Sequence, residues 1–110
     1  MSLMDDLGPM RLVAQATDIT TGVTLNARYG QITTQAMGAA AAGENSFTLT
    51  DSFIGPSSIV ILSFTTSSGG TPLMQAIPSA TPGSATILIT NLHAANALDA
   101  AAVIHFMVLG

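Results

Sequence analysis

The sequence predicts an all-β protein, a single-domain β-sandwich that is jelly-roll-like and follows an irregular N-terminal arm. Short segments rich in Val, Ile, Thr and Phe recur at roughly ten-residue spacing, with Gly, Pro and Ser between them. The chain has 110 residues, which suits one domain rather than two. We place the arm at residues 1–12 and the sandwich at residues 13–110.

The first half of the chain is predicted to be largely extended. Its segments are a short strand at 11–16, a Thr-rich strand or loop at 17–25 with a turn at Gly22, a strand at 30–37 and a loop at 38–43. The loop contains four alanines between two glycines, which is too short for a helix to stand alone. Polar and apolar residues alternate over 46–50, so Phe47 and Leu49 should point into the core.

The second half alternates clear strands with turns. Strands are predicted at 58–64, 73–77, 84–90 and 103–109, and a loop with a helical turn near 94–98 is predicted at 91–102. In the third of these strands Ala85, Ile87 and Ile89 should face one way. The first and last are apolar on both faces, which indicates burial on both sides or contact with another subunit.

Composition favours an oligomer subunit and argues against several other classes. Hydrophobic residues make up 48% of the chain and charged residues only 7%, far below the quarter typical of soluble domains. The only cations are Arg11 and Arg28, too few for a phosphate-binding patch, so we expect no nucleic-acid partner. No apolar run nears the roughly twenty residues of a membrane span, and we expect no membrane partner.

Export and disulfide bonds are not expected either. There is no cysteine, so stability must come from packing and assembly. The first residues carry Asp5 and Asp6 where a signal peptide would carry basic residues. We therefore expect the protein to be made and folded in the cytoplasm.

The sequence does not predict an enzyme, a metal site or a cofactor. Its two histidines, His93 and His105, are not spaced as metal ligands, and its six acidic residues are scattered. His105 lies between apolar neighbours in a strand, which favours a packed or interface residue over a catalytic base. His93 follows Asn91 in a loop, where bracing that loop by hydrogen bonds is the expected role.

The C-terminal half resembles a known class of proteins. Asn91-Leu92-His93 is followed by Ala97-Leu98 and a closing apolar strand, after earlier strands that are separated by Ser, Gly and Pro. This texture, over roughly residues 32–109, resembles the small β-sandwich virion proteins of tailed bacteriophages of the capsid decoration, or cement, type. The resemblance implies a homotrimer on the capsid surface that binds the major capsid protein and bridges neighbouring capsomers.

The expected roles of individual residues follow from these arguments. The resemblance assigns a loop-shaping role to Asn91, His93, Ala97 and Leu98. Independently of it, we expect apolar residues near the N-terminus and a few on strands to contact other subunits: Leu3, Leu7, Met10, Leu12, Arg28, Tyr29 and His105. Two alternatives stay open, namely a tail-tip or fibre module that binds a host surface glycan, and a small trimeric enzyme or ligand-binding barrel.

Overall fold

Alternating apolar and polar residues build eight strands in the computed structural model, which describes residues 10–110. The strands are β1 (Arg11–Ala14), β2 (Val23–Thr24), β3 (Tyr29–Thr33), β4 (Glu44–Thr50), β5 (Ile59–Thr66), β6 (Pro72–Pro78), β7 (Ser84–Asn91) and β8 (Ala102–Leu109). Over residues 10–110 there is no helix, and hence none long and apolar enough to cross a membrane.

The strands form two four-stranded sheets. Sheet A has the order β1-β3-β8-β5, and sheet B has the order β2-β4-β7-β6. β8 is antiparallel to its neighbours β3 and β5. β7 is likewise antiparallel to its neighbours β4 and β6. Two pairs are parallel, β1 with β3 and β2 with β4. The edges of sheet A are therefore β1 and β5, and those of sheet B are β2 and β6.

The inward sides of the two sheets share one apolar core. In β8, Ile104, Phe106 and Val108 are fully buried, while the residues between them stay partly exposed. Ile87 and Ile89 of β7 belong to the same cluster. Full burial of a side chain of this size contributes about 1.5–3 kcal/mol. A slip of one residue would move all of them to the outward side, so the alternation also fixes the register.

Gly30 in β3 is the point where backbone and core approach most closely. A Cβ atom at this position would lie 2.7 Å from Leu25 Cδ2 and 2.7 Å from Phe106 Cε1. Only glycine leaves room for the Phe106 ring, which fills the space beneath β3.

The two-sheet sandwich that the sequence predicts is confirmed, and its jelly-roll connectivity is not. A jelly roll is an antiparallel arrangement, whereas this fold contains the parallel pairs β1/β3 and β2/β4. β1 begins at Arg11, so Arg11 and Leu12, which the sequence assigns to the arm, already belong to sheet A.

One local prediction needs correction. The helical turn expected at residues 94–98 is absent, and residues 92–101 form an irregular loop. The strand β5, predicted to be buried on both sides or to contact a subunit, is not buried on both sides, because it lies at a sheet edge with Ile59 and Ile61 exposed. Its contact with a subunit stays a prediction. By contrast β8, with the same two-faced apolar pattern, is central in sheet A.

Candidate interaction surface

The outward side of sheet A is an uncharged and largely apolar surface, which we call the outer face. Residues paired across neighbouring strands point to the same side of a sheet. The register therefore places on the outer face Leu12, Ala14, Tyr29, Gln31, Thr33, Ile59, Ile61, Ser63, Thr65, Val103, His105, Met107 and Leu109. None of these is Asp, Glu, Lys or Arg, although the chain has a net charge of −4.

A polar row crosses the middle of the outer face. Gln31 pairs with His105, and His105 pairs with Ser63 on its other side. In the row on one side of it, Met107 lies between Tyr29 and Ile61, and this part of the face is suited to dry packing. The row on the other side also carries the hydroxyl groups of two threonines, Thr33 and Thr65.

The outer face contains one shallow depression of about 90 Å³. It is lined by Tyr29, Ile61, Ser63, His105, Phe106 and Met107. Pockets that hold small ligands usually have volumes of about 300–1,000 Å³. The depression therefore suits an inserted side chain or a single small ring better than a larger ligand.

The outward side of sheet B is different in kind. Most of its residues bear a hydroxyl group: Thr24, Ser46, Thr48, Thr50, Ser84, Thr86 and Thr90. Its apolar residues are Leu73, Ile77 and Leu88, and Gln75 also lies there. It also carries Glu44, whose partner in the register is Thr90. Hydroxyl groups and a carboxylate are well hydrated, so burying this side would require replacing many bonds to water. The apolar candidate surface is that of sheet A.

Of the predicted interface residues that the structure describes, three lie on the outer face, and Met10 and Arg28 do not. Leu12, Tyr29 and His105 belong to it, and Leu12 is 65% exposed. Met10 directly precedes β1 and is also exposed. Arg28 instead lies with its guanidinium carbon 4.9 Å from the centre of the Phe53 ring, a cation–π contact. Leu3 and Leu7 lie outside the described residues.

The sequence did not single out Ile59, Ile61 and Met107, which contribute much of the apolar area of the outer face. The available signal was the two-faced apolar pattern of residues 58–64 and 103–109. That pattern alone does not say which of the two faces points outwards, because both faces are similarly apolar.

The loop between β7 and β8 is held by one buried amide. Asn91 is 1% exposed, and its Nδ2 donates to the carbonyl oxygens of Ala39, Ala40 and Asn96. Its Oδ1 accepts from the backbone N–H groups of Thr71 and His93. A single side chain therefore joins three segments: the loop before β4, the β5–β6 connection and the loop after β7.

The remaining residues of the predicted loop motif have distinct surroundings. His93 Nδ1 accepts hydrogen bonds from the backbone N–H groups of Ala95 and Asn96, at 3.0 Å and 2.9 Å. Leu98 is buried in the core cluster, while Ala97 is exposed. His93 thus stabilises the backbone conformation of the loop at Ala95 and Asn96, and Leu98 packs the loop against the core.

A buried carboxyl group lies at the β4–β5 turn. Asp51 Oδ1 accepts from the backbone N–H groups of Ala27 and Phe53, and Asp51 Oδ2 has no hydrogen-bond partner among the described residues. Burial raises the pKa of Asp51, against the opposing influence of the two N–H groups and of the Arg28 charge. Through these two hydrogen bonds the Asp51 side chain connects the β2–β3 loop to the turn after β4.

In residues 10–110 there is no group of three or more His, Asp or Glu side chains that could hold a metal ion. Comparisons with family models, with curated proteins and with solved structures found no match to this chain. The assignment of a role therefore depends on the surface and on the resemblance stated above.

Proposed function

We propose that this chain is a virion structural protein, not an enzyme, which decorates and stabilises a bacteriophage capsid by bridging neighbouring capsomers. In this proposal it acts as a homotrimer on the capsid surface, is made in the host cytoplasm and binds the major capsid protein. The observation that carries the proposal is the uncharged, apolar outer face of sheet A. The resemblance of residues 91–98 and the closing strand supplies the capsid context.

An apolar surface of this kind favours contact with another protein. Thirteen neighbouring side chains without formal charge form one continuous face, and exposed apolar patches of this type are typical of interaction sites. Contacts repeated by the symmetry of a shell add up through avidity, so each can be modest. This suits a protein whose task is to hold neighbouring subunits together.

The surroundings of the two histidines support a structural role. His93 Nδ1 is occupied by two backbone N–H groups. His105 has Gln31 and Ser63 as its neighbours in the row, and a histidine that acts as a base is commonly oriented by a carboxylate. Ser63 lies beside His105, but the outer face carries no acidic residue that would orient His105 as its base.

A specific observation also favours the second candidate, a tail-tip or fibre module that binds a glycan. Tyr29 lines the depression beside Ser63 and His105, and sugars stack on aromatic rings while hydroxyl groups bind polar side chains. At about 90 Å³ the depression is small for a sugar site. We therefore rank this candidate second.

The test is binding to capsid shells assembled from the major capsid protein of the same phage. Co-sedimentation should show saturable binding, and light scattering should give a free particle containing a multiple of three chains of 11.1 kDa each. Leu12→Glu puts a charge on the outer face and should weaken shell binding by about tenfold or more, since burying an unpaired carboxylate is costly.

Leu92→Glu is the matched control, because Leu92 is 60% exposed but lies off the outer face, after β7. It should bind shells as the unaltered protein does. Equal loss in both variants, or no shell binding by the unaltered protein, would overturn the proposal. In the latter case a glycan array with Tyr29→Ala as the control tests the second candidate.

The predicted contacts of Leu3 and Leu7 are tested separately. Removal of residues 1–9 leaves β1 intact, because the strand begins at Arg11. We expect the shortened protein to fold normally and to bind shells less tightly. Unchanged binding would limit the capsid contact to the sandwich.

A further inference from the structure

The four sheet edges of this fold are not protected alike. Natural proteins guard their edges with short strands, proline or charged side chains. β1 has four residues, β2 has two, and β6 carries Pro72 and Pro78 at its two ends. β5 has eight residues and contains no proline and no charge. It is the one long edge strand, among the described residues, that has none of these protective features.

The backbone of β5 has a free row of hydrogen-bonding groups. In the described part of the chain β5 pairs only with β8. Val108 N–H donates to Arg28, and the carbonyl oxygen of Ala102 accepts from Thr34 N–H, so the even-numbered residues of β8 bond away from β5. Bonding groups alternate along an antiparallel pair. Val60, Leu62 and Phe64, opposite those even residues, therefore direct their N–H and C=O groups to the open edge.

The inward side chains of β5 are also incompletely covered. Val60, Leu62 and Phe64 pack against the core but are only partly buried. Their counterparts on the central strand, among them Phe106, are fully buried. A further strand beside β5 would satisfy the open backbone groups and cover the same three side chains.

We propose that β5 is a strand-pairing edge through which two copies of this chain join antiparallel, forming one continuous eight-stranded sheet. The occupant is a second copy because β5 complements itself. In the register that places Ser63 opposite Ser63 of the second copy, Ile61 faces Thr65 and Leu62 faces Phe64. Aliphatic side chains then meet hydroxyl-bearing or aromatic ones across the junction, which stabilises antiparallel pairs, and no like charges meet.

This contact is independent of any role on a capsid and adds a two-fold interface to it. Pairing of β5 alone gives a dimer. Combined with a homotrimer through another surface, it gives a closed hexamer when the two-fold axis meets the three-fold axis at a right angle. The outer faces of the two copies become continuous, so the apolar surface doubles in extent.

The first test is the solution mass of the full chain without shells. Ile61→Lys places a charge on the open edge, which natural edge strands use to prevent pairing. It should halve the mass, from dimer to monomer or from hexamer to trimer. Ile77→Lys is the matched control, because both isoleucines are 49% exposed and lie on edge strands, β5 and β6. This variant should keep the mass of the unaltered protein.

The second test is a disulfide across the proposed two-fold axis. Ser63 would form a non-hydrogen-bonded pair with its counterpart, with Cα atoms about 4.5 Å apart, within the range for a disulfide. Ser63→Cys should form covalent dimers on mild oxidation. Thr48→Cys, exposed on the interior strand β4 of sheet B, should stay uncrosslinked.

Each outcome is decisive for the pairing. A halved mass in Ile61→Lys alone, together with crosslinking of Ser63→Cys alone, supports it. A monomer or trimer of the unaltered protein, an unchanged mass in Ile61→Lys, or equal crosslinking of the two cysteine variants overturns it. If β5 instead pairs with a strand of another protein, Ile61→Lys would leave the mass of the purified chain unchanged. That result also overturns the proposal. Shell binding is read separately through Leu12→Glu, so either proposal can fail alone.

Discussion

Replacing Asn91 with alanine should be among the most destabilising single changes in the loop regions of this protein. Four of the five hydrogen bonds of Asn91 are 3.1 Å or shorter, and the side chain is buried. At about 1 kcal/mol for each bond, Asn91→Ala should lower the free energy of unfolding by about 4 kcal/mol. A domain of this size has about 5–15 kcal/mol in all, so the midpoint of thermal unfolding should fall by about 15 °C.

Urea denaturation followed by circular dichroism measures this loss, and Asn96→Ala is the control. Asn96 is exposed and contributes its backbone carbonyl to the network, so its truncation should change stability by less than about 0.5 kcal/mol. A loss below about 1 kcal/mol in Asn91→Ala, with an unchanged dependence on urea, would refute the reasoning.

The shape-conserving variant Asn91→Asp separates hydrogen bonding from packing. At neutral pH a carboxylate oxygen would replace Nδ2 and face the carbonyl oxygens of Ala39, Ala40 and Asn96. We expect a loss at least as large as in Asn91→Ala. The loss should shrink as the pH falls, because a protonated carboxyl group donates one hydrogen bond. A pH-independent loss would contradict the assigned roles of the two amide atoms.

Three further predictions concern other parts of the fold. Gly30→Ala should destabilise by about 1–3 kcal/mol in thermal denaturation because its Cβ would overlap Leu25 and Phe106, whereas Gly38→Ala, with nothing within 4 Å, should be neutral; equal effects would contradict the close approach. His93→Ala should cost about 1 kcal/mol by urea denaturation because its two accepted bonds are exposed, and a loss as large as that in Asn91→Ala would contradict this ranking. The raised pKa of Asp51 means that the folded state binds the proton more tightly than the unfolded state. The free energy of unfolding should therefore fall as the pH rises from about 3.8 through the raised pKa of Asp51. Asp51→Asn keeps an acceptor for the N–H groups of Ala27 and Phe53 and should flatten this part of the stability profile. An unchanged profile would contradict the cause assigned to the pKa shift.

The sequence predicts strand positions well where one face is polar. In β7 alternation alone placed Ile87 and Ile89 on one face, opposite the hydroxyl-bearing Thr86 and Thr90, and that face is the buried one. In β5 and β8 both faces are apolar, and the same pattern fits a central strand and an edge strand with a partner. Which of the two lies at the edge depends on pairing across the fold, which local periodicity does not contain.

The sequence reasoning missed the irregular form of the loop at 92–101 and the parallel strand pairs. The alanines at 94 and 95 favour a helical turn by propensity. The side chains of Asn91 and His93 instead bind backbone groups that a helical turn would use for itself. The parallel pairing of β1 with β3 was not predictable either, because alternation along a strand does not contain the identity or direction of its partner strand.

For the candidate surface, the sequence supplied the low charge and three members of the outer face: Leu12, Tyr29 and His105. The sequence did not predict that these three residues lie on the same face. These residues are far apart in sequence and become neighbours only through the register of β1, β3 and β8. Arg28 and Tyr29, adjacent in sequence, have different surroundings because Tyr29 begins β3, whereas Arg28 lies before the strand and contacts Phe53.

The position of β8 has a consequence for how the protein is made. β8 is the last strand in the sequence, yet it lies at the centre of sheet A between β3 and β5. During translation β3 and β5 emerge first and have no partner in common until β8 leaves the ribosome. Sheet A therefore assembles after synthesis of this domain, through contacts between distant segments that form slowly. Until then β5 is open along both sides, and unpaired strand edges of this kind are prone to aggregation.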